Sequence, residues 1–206
     1  MKPRIADLFC GAGGAAMGLH RAGFEVVGFD IEPMPRYPFE FHQQDALAVN
    51  LSGFDAVWAS PPCQAYSPMS RNRQQHPDLY VPTRDLLTIA GLPYIIENVI
   101  GAPYESGIVL CGSMFNLVVR RHRNMETNWA ISPPSRCRHE EQGRPITVTG
   151  HGGGKPSKHS WKGVKREWPQ YMGMPWVTPA ECTQAIPPVY SEYIGKQLMA
   201  VLQAAR

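Results

Sequence analysis

An α/β fold, a mostly parallel sheet with helices on both faces, is the architecture this sequence predicts, and three observations predict it. Short apolar runs bounded by turn residues alternate with helix-period segments through the first half of the chain. A glycine-rich turn joins the first strand candidate to the first helix candidate. The 206 residues fit one domain, 1–206, and a domain of that size buries roughly 70% of its unfolded surface without disulfides or metals to staple it.

Taken in order, Ile5 to Phe9 reads as a strand and Gly14 to Arg21 as a helix closed by Gly23, with Glu25 to Asp30 the next strand. Phe54 to Ala59 is a short apolar run, the pattern of a strand buried on both faces. Pro93 to Glu97 repeats it, with a helix expected between them from Thr83 to Ala90. The polar stretch from Gln64 to Pro82 reads as a mobile loop overhanging Cys63. From about Ser132 to Lys165, Pro133-Pro134, the run His151-Gly152-Gly153-Gly154 and many cations predict loops around a single strand at Pro145 to Thr149. Thr178-Pro179-Ala180-Glu181 then has the composition of a capping box, with proline at the first helical position. A last helix from about Ser191 would align Ile194, Leu198, Val201 and Leu202 on one face, and neither a repeat nor a second core is predicted.

Composition narrows the setting. Cys10, Cys63, Cys111, Cys137 and Cys182 are an odd set without CxxC pairs, so a disulfide framework and a zinc ribbon are both disfavoured and a reducing cytoplasm is expected. No signal-peptide core and no run of membrane-spanning length is present, so no membrane association is expected, and no obligate protein partner is evident. The formal charge of +3 is small, but the cations gather late, at Arg120, Arg121 and Arg123, at Arg136 and Arg138, and from Lys155 to Arg166.

The chemistry concentrates in two turns. In Pro61-Pro62-Cys63-Gln64, two prolines fix the backbone and remove two donors just past a strand, so Cys63 is presented at the carboxyl edge of the sheet, where open α/β folds bind ligands. A buried structural cysteine is the commoner role for the residue, yet the polar Gln-Ala-Tyr-Ser run that follows is poorly explained by packing. In Asp7-Leu8-Phe9-Cys10-Gly11-Ala12-Gly13-Gly14, glycines let the backbone approach a ligand at a helix N-terminus, and Asp30, ending the second strand, can accept from ribose hydroxyls. A purely structural turn ending in a surface aspartate is the other reading; the two features at their proper places point to an adenosine-bearing cofactor. Ala16 stands where a pyrophosphate fingerprint wants its third glycine, and Asp7 could meet a cationic ligand, so charge favours S-adenosylmethionine.

Five blocks in order then resemble the cytosine-C5 DNA methyltransferase family: Asp7-Leu8-Phe9-x-Gly11-x-Gly13-Gly14; Pro61-Pro62-Cys63-Gln64-x-Tyr66-Ser67; Glu97-Asn98-Val99; Arg121-x-Arg123; and Gln184-Ala185-Ile186-Pro187-Pro188 with Ile194-Gly195. The resemblance implies a Rossmann-like class I S-adenosylmethionine-dependent methyltransferase fold in a small phage- or bacterial-type member, of the kind found in restriction-modification. It implies transfer of methyl to carbon 5 of cytosine in double-stranded DNA, with S-adenosylhomocysteine as product and the base flipped out of the duplex. Cys63 would add to carbon 6, Glu97 would hold a proton at the ring nitrogen, Asn98 would position Glu97, and Arg121 and Arg123 would bind the carbonyl oxygen or a phosphate. The cofactor would be held by Asp7, Leu8, Phe9, Gly11, Gly13 and Gly14, by Asp30, Ile31, Asp45 and Ala46, and by Pro61, Gln184 and Ile186. Gln64, Ser67, Arg71 and Arg73 would meet the substrate, as would Lys155, Lys158 and Lys162. Val119 and Gln184 depart from the family, which usually has glutamine and asparagine there. Only about 124–166 is left for target recognition, so the recognised site is expected to be short, with the C-terminal helix returning to the catalytic core.

Other readings remain open on the sequence alone: the same chemistry on transfer RNA or a free cytidine nucleotide, or a silent module binding nucleic acid or the methyl donor. His139, His151 and His159 with Cys137 match no zinc spacing, so no metal site is expected.

Overall fold

The computed structural model describes residues 1–68, 70, 72–148 and 163–204. Seven strands form one sheet: β1 (Arg4–Leu8), β2 (Glu25–Asp30), β3 (Glu40–Gln43), β4 (Ala56–Ala59), β5 (Tyr94–Asn98), β6 (Ile108–Leu110) and β7 (Arg123–Thr127), in the order β3-β2-β1-β4-β5-β7-β6. The first five run parallel, whereas β7 is antiparallel to both β5 and β6. The chain leaves β1 toward one edge and returns through β4 toward the other. That reversal opens a crevice at the carboxyl ends of β1 and β4, the place where such sheets bind ligands.

Strand alternation divides the core. Ile5, Trp58 and Ile95 face α1 (Gly14–Arg21) and the long C-terminal helix Pro188–Ala204, packing with Leu19, Ile194 and Leu198. Their neighbours Ala6, Val57 and Ile96 face the other way, against Tyr80 and Leu87 of α2 (Tyr80–Ala90). Helices on both faces explain why these strands read as continuous apolar runs. Gly18 lets α1 and the C-terminal helix meet: a Cβ there would lie 2.0 Å from the Pro188 carbonyl oxygen.

Several elements differ from the sequence expectation. Helix α2 begins at Tyr80 rather than Thr83, because Pro82 falls in the first turn, where its missing N–H would have no intrahelical partner. The C-terminal helix likewise starts at Pro188, with proline at its first position. The 64–82 loop contains a 3-10 turn, Arg73–Gln75. The strand expected at 145–149 is only a bridge between Val119 and Ile146, and Thr149 lies outside the described residues.

The expected recognition segment starts inside the sheet, since β7 occupies 123–127. Glu126 is buried by pairing, accepting from Tyr80 Oη at 2.9 Å and from Arg84 Nε at 2.7 Å, whereas the buried Asn124 amide has no hydrogen-bond partner among the described residues. A smaller apolar cluster does exist, contrary to the single core expected. It joins Val119, Ile146 and Val148 to Trp168 and Met172 of α3 (Trp168–Met172) and Cys182 of α4 (Pro179–Cys182). The predicted capping box opens α4, with the Thr178 side chain accepting from Glu181 N and Glu181 accepting from Thr178 N. The C-terminal helix is α5. Among the described residues no helix is long and apolar enough to cross a membrane.

Candidate active site

The crevice holds a cavity of about 590 Å³, within the range of small-molecule and cofactor sites. Its floor comes from the turn after β1. Phe9, directly past the strand, has φ 56°, a left-handed backbone unusual for a bulky residue and a strain of about 1–3 kcal/mol of the kind found at functional sites. Gly11 and Gly14 follow on the wall. Gly14 has no space for a side chain, because a Cβ would sit 2.5 Å from the Ile186 carbonyl oxygen, and Ile186 also lines the cavity. The chain between α4 and α5 thus closes over the glycine turn.

Asp30, at the end of β2, accepts from Gly11 N at 3.0 Å through Oδ2 and from Glu32 N at 3.1 Å through Oδ1. The backbone fixes the carboxylate, and each oxygen keeps a further lone pair for a ligand hydroxyl. Ile31 lines the same wall at 65% exposure, an apolar surface left open among the described residues. Asp45 and Ala46 complete this side, with Asp45 Oδ1 capping the 3-10 turn Ala46–Ala48 through Leu47 N. An adenosine fits these walls: acids fixed by backbone donors suit hydroxyls, and Ile31 suits a ring face.

Across the cavity, Ser60, Pro61, Cys63 and Gln64 follow β4, while Glu97 and Asn98 end β5. The Cys63 carbonyl accepts from Tyr66 N at 3.1 Å and Ser67 N at 2.9 Å, which fixes the turn carrying the thiol. Asn98 Nδ2 donates to the Pro61 carbonyl at 2.8 Å, so Asn98 ties the proline turn to β5. Arg123 Nε pairs with Glu97 Oε1 at 2.7 Å, and both side chains are largely buried. Burial pushes the Cys63 thiol up, only partly offset by the Arg123 guanidinium. Burial pushes the Glu97 carboxyl up as well, against the charges of Arg123 and Arg121. In this state Cys63 is a thiol and Glu97 is readied to hold a proton. The buried Oε1 of Gln64 has no hydrogen-bond partner among the described residues, an acceptor left for a bound donor.

Ser60 was not anticipated by the sequence. It follows β4, accepts from Trp58 Nε1 at 2.9 Å and lies close enough to Glu97 to work against the rise of its carboxyl. No motif marks it. Gln184 lies on the cavity wall beside Ile186.

Other expected residues stand elsewhere. Asp7 is fully buried behind the cavity and accepts from Tyr37 Oη at 3.1 Å. Burial holds its carboxyl well above the usual carboxylate range. Leu8 belongs to the core, and Gly13 is the N-cap of α1 rather than part of the wall. Arg121 also lies off the cavity: its Nη1 donates to the Val148 carbonyl at 3.0 Å and its Nη2 to the Thr183 carbonyl at 2.8 Å. It braces the segments behind the site and contributes charge from there. Ser67 is in the Cys63 turn but not on the wall, and Arg73 is exposed on its 3-10 turn. Arg71, Lys155, Lys158 and Lys162, with His151 and His159, lie outside the described residues.

Comparison with known proteins gives four matches. Residues 3–80 match the family model of the C-5 cytosine-specific DNA methylases. Over 133 residues the chain is 29% identical to the type II methyltransferase M.AgeI of Thalassovita gelatinovora, a match covering 54% of this chain and 31% of that protein. The fold is similar to a protein described as a DNA modification methyltransferase encoded within an E. coli prophage, with a TM-score of 0.62, 16% identity and 98% and 99% of the two chains covered. It is similar also to the S. pombe Dnmt2 methyltransferase, with a TM-score of 0.63, 12% identity and both chains fully covered at 100%. At these identities the two structures establish the class I methyltransferase fold.

Proposed function

We propose that this chain, whose residues 3–80 match the family model of the C-5 cytosine-specific DNA methylases, transfers a methyl group from S-adenosylmethionine to carbon 5 of cytosine in double-stranded DNA. The observation that carries the reading is the meeting of Cys63 and Glu97 on the wall of the cavity that the glycine turn and Asp30 also line.

When bound, S-adenosylmethionine supplies an electrophilic methyl group. Asp30 and Asp45 would take its hydroxyl and amino groups, Ile31 its ring face, and Phe9, Gly11 and Gln184 the remaining walls. Because carbon 5 of cytosine is a poor nucleophile, Cys63 adds to carbon 6 and shifts electron density to carbon 5. Its raised thiol requires that the proton leave as the base docks, with Arg123 as the nearest favourable charge. Glu97 shares a proton with the ring nitrogen, which neutralises the developing charge, and its burial suits that proton-bearing role. Asn98 holds the Cys63 turn against β5, and Arg123 orients Glu97. Loss of the carbon 5 proton then expels the Cys63 thiolate and leaves 5-methylcytosine. The target base must leave the duplex to reach this depth, at a cost of a few kcal/mol. The segment between Cys63 and α2, whose Gln64 and Leu79 line the cavity, would close over the base, and target choice would fall to the segment between β7 and α3.

The test incubates the protein with methyl-labelled S-adenosylmethionine and separate pools of duplex DNA, transfer RNA and dCMP. Label in cytosine carbon 5 of the DNA pool is expected. Label confined to transfer RNA or dCMP would reassign the acceptor, and label in none, with unchanged DNA binding by Cys63→Ala, would make the chain a binding module.

A further inference from the structure

Away from the cavity, four side chains from three separated stretches converge at the β6–β7 edge of the sheet. Cys111 follows β6 and is buried, and His122 immediately precedes β7. Cys137 and His139 come from the irregular segment after β7. One ligand atom of each lies within 4.8 Å of all the others. Cys111 Sγ is 3.3 Å from His139 Nε2, and Cys137 Sγ is 3.6 Å from His122 Nε2. The two imidazoles stand nearly perpendicular, at 86° with ring centroids 5.0 Å apart.

The two sulfur–nitrogen separations match the edges of a zinc tetrahedron. Zinc bonds of about 2.3 Å to sulfur and about 2.0–2.1 Å to nitrogen place sulfur and nitrogen about 3.5 Å apart. Two thiols and two imidazoles are also the donor set that selects zinc over magnesium or calcium. A disulfide between Cys111 and Cys137 would account for neither histidine. Outer hydrogen bonds hold the set in place: Ser113 Oγ donates to Cys111 Sγ at 3.3 Å, Arg120 Nη2 donates to the His139 carbonyl at 3.2 Å, and Arg138 N donates to Ser113 Oγ at 3.1 Å. Supports of this kind orient the ligands of metal sites.

The geometry points to a structural zinc site formed by Cys111, His122, Cys137 and His139, which clips the irregular segment after β7 to the edge of the sheet. All four tetrahedral positions are filled by protein, so the metal holds no reactive water and is structural. Its consequence reaches the cavity through one peptide bond, since His122 precedes Arg123, the partner of Glu97, and Arg123 Nη1 donates to the His122 carbonyl at 3.2 Å. Local spacing does not show the set, because Cys111 and His122, which flank strands β6 and β7, are far in the chain from Cys137 and His139.

The experiment purifies the protein without chelator and measures bound metal by plasma mass spectrometry, alongside cobalt(II) titration of the metal-stripped chain. We expect about one zinc per chain, falling to less than about a tenth in the Cys137→Ser/His139→Asn double variant. Cobalt should give the intense visible absorption of tetrahedral coordination with a thiolate charge-transfer band, and zinc but not magnesium should raise the Tm of the stripped chain. Cobalt titration of the parent reads the site even if the double variant does not fold. A parent chain with no stoichiometric zinc and only a weak octahedral cobalt spectrum, or one with a Cys111–Cys137 disulfide, overturns the proposal.

Discussion

Replacing Gly18 by alanine sets two effects against each other. In an exposed helix the exchange would stabilise by about 1 kcal/mol. Here the new Cβ would lie 2.0 Å from the Pro188 carbonyl oxygen, 2.1 Å from Ser191 Oγ and 2.5 Å from the Glu192 amide nitrogen. Two of those neighbours are backbone, so relief requires α5 to move from α1 by about 1 Å or more. The movement loosens Leu19, Ile194 and Leu198 and breaks the Ser191 Oγ bond to the Ala15 carbonyl, 2.8 Å long. Overpacking costs about 1–3 kcal/mol and the buried hydrogen bond about 1 kcal/mol. Steric cost therefore outweighs propensity. The net loss is about 2 kcal/mol, or about 4–8 °C in Tm for a chain of this length. Thermal and denaturant unfolding followed by circular dichroism measure it. A Gly18→Ala variant as stable as the parent, or more stable, would refute the close α1–α5 contact, and with it the seating of the glycine turn at the N-terminus of α1.

Two further outcomes follow from the site. Glu97→Gln keeps the shape of the side chain but not a carboxyl that can share its proton, so single-turnover methyl transfer should slow by about 10²–10⁴-fold with DNA binding retained; a rate within about threefold of the parent would remove Glu97 from its role. Asp7→Asn tests the buried carboxyl. In the folded chain it keeps its proton at pH values where the unfolded chain, near the ordinary 3.8, has lost it. The stability it contributes is full below that ordinary value and is lost as pH rises toward the folded one, by up to about 1.4 kcal/mol per pH unit. Denaturant unfolding from about pH 5 to about pH 7 should show Asp7→Asn gaining on the parent. A difference that stays constant with pH would contradict the raised carboxyl.

Legibility in the sequence followed burial chemistry. Strands β2 and β4, helix α1 and the α4 capping box were readable because apolar runs, glycine and a threonine cap act locally. Strand β3, with the sequence Glu-Phe-His-Gln at the open edge, carries no such pattern. Strand β7 falls in the stretch of about 124–166 that the motif blocks leave over for recognition, and it takes the distant Arg84, Tyr80 and Glu105 amide to make Glu126 a core residue. In the site, Cys63 and Glu97 stand out by their blocks, and the fold brings both to one cavity. The bracing by Arg121, the Asn98 tie to Pro61 and the Ser60 contact with Glu97 depend on long-range packing that no local spacing encodes. Asp7 misled for the same reason, since its charge is visible in the sequence but its burial is not.

The most direct measurement of the Cys63 mechanism is a covalent trap. Duplex DNA carrying 5-fluorocytosine allows the thiol to add to carbon 6 and the methyl group to arrive, but fluorine cannot depart as a proton does, so the enzyme cannot release the base. With S-adenosylmethionine present, a denaturing gel should show a protein–DNA adduct whose peptide mass maps to Cys63, and Cys63→Ala should form none. Methylation of ordinary cytosine by Cys63→Ala, or an adduct on another residue, would contradict the account.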